Sequence, residues 1–380
     1  MSLDEDDLQA MLLAVRKFAE SELAPHAQER DEKKLFPVEV LARAGDLGLG
    51  GIYTKEEHGG AELTRAVAVR IFEELARGDV ALAAYISIHN MVAWMVDTFA
   101  GDDVRAEWLP DLIGMEKLAS YCLTEPDAGS DAAGIRTTAK RDGDAYVLSG
   151  VKQFISGAGS SHLYLVMART SNAGARGISA FMVPADSAGL SFGANERKMG
   201  WNAQPTRQVI LDGVRVPAAN QLGEEGDGFG IAMRGLNGGR LNIAACSLGG
   251  ASWAVDRAST HMRERIAFGK PLSAQQALQF RLADMETSLE ASRCLLQRAA
   301  TALDDGDPDA VKLCAMAKQF VTDHCFEAAN AALQLHGGYG YLSEYGVERV
   351  VRDLRVHQIL EGTNEIMRLI VSRAALERIA

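Results

Sequence analysis

One carboxylate in the segment His357-Gln358-Ile359-Leu360-Glu361-Gly362-Thr363-Asn364-Glu365 stands apart by its setting. Glu361 follows two apolar residues and precedes a glycine. Val350, Val351 and Leu354 recur at helical spacing before it, and Ile366, Leu369 and Ile370 after it. Gly362 is expected to break the first run, and Thr363 or Asn364 to cap the second. An acid at such a junction has its charged form disfavoured, so its pKa rises and it can serve in proton transfer. The plainer reading of the same stretch is a surface acid at a helix end.

Other stretches carry groups that could bind or react. Tyr121 to Gly134 ends a strand and opens a loop with Thr and Ser hydroxyls and close-approach glycine. It suits a polar ring or a phosphate, and it also reads as an Asx-rich turn. Phe154-Ile155-Ser156-Gly157-Ala158-Gly159 could flank a planar group, or Phe154 could be an ordinary core residue. Leu236-Asn237-Gly238-Gly239 precedes Arg240 at the expected opening of a long helix, where Arg240 reads as a ligand contact or a surface ion pair. Arg265, with Phe268 close behind, could grip a pyrophosphate as a fork or cap a helix C-terminus. Gln334-Leu335-His336-Gly337-Gly338 ends a helix in a Gly-rich turn. None of these glycine runs is GxGxxG after a strand, so a Rossmann nucleotide site is not indicated. His89, inside an apolar run, reads as a packed, hydrogen-bonded histidine.

The elements that must position these groups fall in three blocks. Helical patterns fill residues 1–117, with Ser2 and Glu5 at capping-box spacing and Val80–Phe99 apolar nearly all round. Residues 118–225 have mostly period-two patterns, with strands around Tyr146, Leu163–Met167, Ile178–Val183 and Gln208–Leu211. Asp142-Gly143, Ser149-Gly150 and Asp212-Gly213 are expected to punctuate them. Residues 226–380 carry long helical runs near 241–265, 275–303 and 309–335. The predicted class is α+β, with a β-barrel or sandwich domain between a helical bundle and a C-terminal four-helix bundle.

Composition bounds the function. A chain of 380 residues with 47% hydrophobic and 24% charged content reads as globular. A net charge of −12 disfavours nucleic acid and anionic membrane as partners. No apolar run is expected to reach the roughly 18 residues that span a bilayer. The acidic start (Asp4 to Asp7) resembles neither a signal nor a transit peptide. Five cysteines without CxxC spacing read as reduced, packed thiols of a cytoplasmic protein, and no metal-ligand spacing is seen.

Taken together, Thr124–Asp131, Arg265–Gly269, Gln334–Gly338 and Glu361-Gly362-Thr363 resemble the acyl-CoA dehydrogenase family in order and approximate spacing. The resemblance covers essentially the whole chain. It implies α,β-dehydrogenation of an acyl-CoA, with noncovalent FAD, a homotetramer and electron-transferring flavoprotein as acceptor. Phe154–Gly159, Gly200–Arg207, Arg234–Arg240 and Val356–Glu365 are most similar to the branch acting on isobutyryl-CoA. On that resemblance Glu361 is the base. Tyr121, Leu123, Thr124, Gly129 and Ser130 line flavin and acyl-CoA, and Phe154, Ile155 and Ser156 flank the flavin ring. Many relatives carry Trp in place of Phe154. Arg265, Phe268, Leu272, Gln275, Gln276 and Gln334–Gly338 reach the FAD of a neighbouring subunit. Thr363, Asn364 and Glu365 adjoin its pyrophosphate. Leu236, Asn237, Arg240, Leu360 and Gly362 join Ser130 against the acyl-CoA, Gly362 by leaving room beside the base. Family members can place the base instead just before the arginine matched by Arg240, but Gly239 stands there and cannot take a proton. The other classes the sequence leaves open are a straight-chain or 2-methylbutyryl-CoA dehydrogenase, an acyl-CoA oxidase and a noncatalytic DNA-binding relative.

Overall fold

The computed structural model describes residues 5–377. The expected Ser2 cap lies outside them. Six helices come first: α1 (Glu5–Phe18), α2 (Ala27–Lys33), α3 (Val38–Asp46), α4 (Arg65–Gly78), α5 (Val80–Phe99) and α6 (Asp102–Ile113). Thr64 caps α4 by accepting from the Val67 amide at 3.2 Å, and Asp79 caps α5 through the Ala81 and Leu82 amides. By length and composition α5 is apolar enough to cross a membrane, contrary to the expectation that no run would be. Of its most apolar window 89% is buried inside the protein, so here it serves as a core helix. His89 sits within it, fully buried, with Nε2 2.7 Å from the Leu112 carbonyl and Nδ1 accepting from the Ala119 amide. Burial holds its pKa down to about 4, so the ring is neutral.

The middle block forms one sheet: β1 (Ala119–Cys122), β2 (Thr138–Asp142), β3 (Ala145–Ser156), β4 (Leu163–Arg169), β5 (Ile178–Pro184), β6 (Leu190–Phe192), β7 (Thr206–Pro217) and β8 (Gln221–Leu222). The order is β6-β7-β3-β2-β4-β5-β8, with β1 parallel to β4. Leu163, Leu165 and Met167 face the helices, whereas Tyr164, Val166 and Ala168 enter a core within the sheet. Two expected turns meet instead at one bulge. Ser149-Gly150 and Asp212-Gly213 lie inside β3 and β7, where the register steps from Leu148↔Val214 to Gly150↔Leu211. The extra residue falls on β7, and Gly213 absorbs it at φ +68°. A second step, from Lys152↔Val209 to Ile155↔Arg207, puts the extra residue on β3. Phe154 takes it up at φ +59° and stands 64% exposed, which overturns its reading as a core aromatic.

The loop after β1 is tied to β3 by a buried ion pair. Lys152 Nζ donates to Glu125 Oε1 at 2.7 Å and to the Leu123 carbonyl, while the Arg136 and Thr137 amides donate to the Glu125 carboxylate. Glu125→Ala would leave a buried ammonium unpaired. A loss of about 3–5 kcal/mol is expected, read as a lower unfolding midpoint in urea. An unchanged midpoint would contradict this account.

The last block contains α7 (Gly228–Glu264), the short strands β9 (Ile266–Ala267) and β10 (Lys270–Pro271), α8 (Gln276–Asp304), α9 (Ala310–Leu335), α10 (Val347–Arg355) and α11 (Asn364–Glu377). Helix α7 begins well before the expected position, so Arg240 lies in its interior and is buried, not at its opening or on the surface. Its glycines lower helix propensity but answer close neighbours. A Cβ on Gly235 would meet Met95 and one on Gly238 would meet Arg65. Four cysteines are buried free thiols, but Cys294 is exposed on α8, contrary to the expectation of packing.

Candidate active site

Glu361 lies between the 3-10 turn Val356–Gln358 and α11. It takes φ +57° and Gly362 takes φ +90°, two left-handed residues in succession. A non-glycine residue there is strained and persists only where its surroundings fix it. This turn carries the Glu361 side chain inward, onto the backbone of α7. A Cβ built on Gly239 would lie 2.7 Å from Glu361 Oε2. Oε2 is buried and accepts no hydrogen bond among the described residues. Burial raises the Glu361 pKa to about 7, against the pull of the Arg240 and Lys318 charges. The carboxyl is thus poised to take a proton near neutrality. The expectation of an acid with a raised pKa matches this geometry better than the helix-end surface acid.

The surroundings come from several elements. Arg240 Nε donates to the Glu361 carbonyl at 3.2 Å and NH1 to Asn237 Oδ1 at 2.8 Å. Lys318 on α9 is fully buried and donates to the Gly362 carbonyl and to Asn364 Oδ1, each at 2.8 Å. The Asn364 side chain is committed to this network, donating to Thr322 and Asp323, so it has no free face toward a ligand. Thr363 caps α11 through the Ile366 amide. Gly362 is needed for its φ and because a Cβ there would meet Met367 Cε at 2.7 Å. Its lack of a Cβ therefore serves inner packing as well. Four residues before the acid, His357 is fully buried. The Trp201 indole donates to its Nε2 at 3.1 Å, so the ring proton is on Nδ1 and donates to Ser247 Oγ at 2.7 Å. Burial lowers its pKa to about 3.

Tyr121 on β1 completes this cluster. Its hydroxyl is buried without a partner among the described residues, and its pKa is raised first by burial and then by the Glu361 charge. Leu123 packs into the apolar layer between sheet and helices, with Leu236 against the same layer. Leu360, partly buried, packs against the main helical core. The Thr124 carbonyl accepts from the Gln153 amide at 2.8 Å, which brings the loop beside Phe154. Gly129 and Ser130 are exposed on that loop, and Ser156 is half-buried. Ile155 differs from expectation: its side chain is buried in the sheet core, because it alternates with Ser156, so only its backbone faces outward. An exposed aromatic at a left-handed bulge, hydroxyls beside it, and two orphaned buried oxygens on Tyr121 and Glu361 fit a planar group with apolar faces and polar edges.

The remaining predicted residues gather elsewhere. Arg265, Leu272, Gln334, Leu335, His336, Gly337 and Gly338 line a separate cleft of about 510 Å³. Glu361 is not among its lining residues. The Leu335 and His336 side chains are themselves buried, and His336 stacks on His261 at 4.7 Å. Arg265 follows α7 as its C-cap and lies over the Tyr339 ring. Phe268, at φ +53° in the turn between β9 and β10, is 97% exposed. Gln275 stands at the N-cap position of α8 without a side-chain capping bond, and Gln276 and Glu365 are exposed. Sequence reasoning missed Lys318 and the Glu125–Lys152 pair. Lys318 did leave a signal, because it shares a helical face with Cys314, Ala317 and Val321.

Comparison with known proteins adds an independent line. Models of the acyl-CoA dehydrogenase N-terminal, middle and C-terminal domains match residues 5–116, 120–214 and 226–376. The chain is 51% identical over 377 residues to the mitochondrial isobutyryl-CoA dehydrogenase of Bos taurus, covering 99% of this chain and 90% of that protein. Butyryl-CoA dehydrogenase from Megasphaera elsdenii superposes with a TM-score of 0.95 at 37% identity, covering 99% and 100% of the two chains. A chain solved in work on the electron transferring flavoprotein of Acidaminococcus fermentans gives 0.95 at 38% identity, covering 99% of each. With all three domain models matched in order along a helix–sheet–helix chain, this protein belongs to the acyl-CoA dehydrogenase family of FAD-dependent oxidoreductases.

Proposed function

We propose that the chain converts isobutyryl-CoA to methacrylyl-CoA, a step of valine catabolism, with Glu361 as the base. The observation that carries the base is its buried Oε2, set against Gly239 and without a partner among the described residues. The substrate reading is supported by identity to isobutyryl-CoA dehydrogenases of two organisms. Glu361 takes the α-proton of the bound thioester. Its backbone amide, beside the base, donates to the thioester oxygen and stabilises the developing enolate. FAD, when bound, supplies the two-electron acceptor for the β-hydrogen. Thr124, Phe154 and Ser156 would hold it from the sheet. Arg240, Asn237 and Leu236 on α7, with Leu360 and Ser130, would orient the acyl-CoA.

Residues 1–117, 118–225 and 226–380 act as helical, β and helical-bundle domains. Arg265, Phe268, Gln275, Gln276 and the Gln334–Gly338 turn serve the FAD of a second copy within a homotetramer, a dimer of dimers. The 97% exposure of Phe268 beside a 510 Å³ cleft supports an intersubunit site. Thr363 and Glu365 would adjoin the pyrophosphate. Electrons pass to an electron-transferring flavoprotein. A cytoplasmic setting is supported by five cysteines free of disulfides.

The test is steady-state kinetics of the purified holoenzyme with a dye acceptor across isobutyryl-, 2-methylbutyryl-, isovaleryl-, butyryl- and octanoyl-CoA. Isobutyryl-CoA is expected to give the highest kcat/KM, by roughly 10-fold or more, the scale on which a methylene discriminates. A preference for octanoyl-CoA would remove the substrate assignment and leave the reaction class standing. Fast peroxide formation under air without dye would point to an oxidase.

A further inference from the structure

We infer that Lys318 is a positioning residue for the base: it locks the left-handed Glu361-Gly362 turn that holds the carboxylate against Gly239. The inference rests on Glu361 being the base.

Lys318 is fully buried on α9, and among the described residues it forms no ion pair with a carboxylate. A buried ammonium is disfavoured unless it is well hydrogen-bonded, and a methionine would fill the same volume without the desolvation penalty. Packing alone therefore does not explain a lysine here. Its hydrogen bonds do. Nζ donates to the Gly362 carbonyl and to Asn364 Oδ1, both at 2.8 Å. The preceding carbonyl, that of Glu361, accepts from Arg240 Nε. Successive carbonyls of one strained turn are thus held by cations from two helices, α9 and α7.

The turn needs such fixing. Glu361 at φ +57° has a Cβ and is disfavoured in that region. Without a bond at the Gly362 carbonyl the peptide can relax, and the carboxylate swings away from α7. Asn364 extends the lock, because it is anchored on α9 by Thr322 at 2.9 Å and Asp323 at 2.7 Å. Lys318 therefore fixes both the turn and the first residue of α11 to one rigid helix. Burial holds the Lys318 pKa down to about 7, and in its protonated form its charge favours the ionised form of Glu361. The other groups whose charge bears on this corner are Arg240, Tyr121, Asp323 and Glu365.

The test compares Lys318→Met with Glu361→Gln as holoenzymes. K318M is expected to keep its flavin stoichiometry and its KM within about threefold, and to lose roughly 10–100-fold in kcat, the scale of a misplaced base. The acidic limb of its kcat/KM profile should move alkaline by about one pH unit, because a cation beside the carboxyl is gone. Wild-type kcat with an unmoved limb would overturn the inference. So would an activity loss that only tracks lost flavin. If K318M does not fold, Lys318→Gln takes its place, since it keeps a neutral N–H donor, one bond shorter, on the Gly362 side. The same limb shift with a smaller kcat loss is then expected, and failure of both variants to load flavin would mark Lys318 as merely structural. Near-wild-type E361Q would instead remove the base reading, so the two failures are distinguishable.

Discussion

Glu361→Gln is expected to retain FAD and fold while losing roughly 10²–10⁴-fold or more in turnover. The substitution keeps the side-chain shape and removes only the capacity to accept a proton. Among the described residues Oε2 accepts no hydrogen bond, so the substitution breaks none there. The sign of the stability change follows from the raised pKa, about 7 against an ordinary carboxyl near 4.5. The native state then holds its proton more tightly than the unfolded chain. Glu361 therefore contributes stability below the unfolded pKa that is lost as pH rises through about 7. A glutamine escapes that loss, so the variant's Tm at pH 8 should equal or exceed wild type. In wild type, kcat/KM should rise with pH through about 7 as the base ionises. Flavin absorbance, thermal melts and dye-coupled rates across pH measure all three effects. Near-wild-type turnover would reject the assignment.

The helix–sheet–helix order was legible because periodicity switches near Lys117 and again after Gly230, and β1 to β8 lie between those points. What misled was glycine. Ser149-Gly150 and Asp212-Gly213 carry turn chemistry, but bulges use the same left-handed residues within a continuing ladder. Gly235, Gly238 and Gly239 argued against a helix around Arg240, and tertiary contacts that no local rule sees keep the helix intact. Phe154 could not be placed from pattern, because its exposure depends on one extra residue in β3 relative to β7. For the site, the junction and apolar neighbours of Glu361 alone left a surface acid as the plainer reading, and only the motifs in family order pointed to the base. The hold on it was not legible. Lys318 and Arg240 lie 43 and 121 positions from Glu361 in the chain, and hydrogen bonds to backbone carbonyls leave no mark on the acceptor residues.

The second large effect is expected at Gly239. A Cβ there would stand 2.7 Å from Oε2, 2.9 Å from Cδ and 3.0 Å from Oε1 of Glu361. The obstacle is the free end of a side chain, so the fold can yield by moving the carboxylate. Gly239→Ala should also favour α7, since alanine replaces an interior helix glycine, worth up to about 1 kcal/mol. The expected signature is a Tm unchanged or raised, with kcat down roughly 10–100-fold, because a base displaced by about 1 Å loses on that scale. A general destabilisation cannot produce that combination. The same geometry says that positions 239 and 361 deliver a side chain to one space from opposite walls. Glu361→Gly removes the base and relieves the strained φ of +57°. Adding Gly239→Glu to it sends a carboxylate into that space from α7. The double variant should exceed Glu361→Gly alone by about 10-fold or more in kcat, the contribution of a returned general base in imperfect register. It should stay below wild type, because the new Cβ starts where the old carboxylate ended. Stopped-flow reduction of the flavin by substrate reads both variants directly. Wild-type rates in Gly239→Ala, or a double variant no faster than the single, would show that the two positions do not share a site.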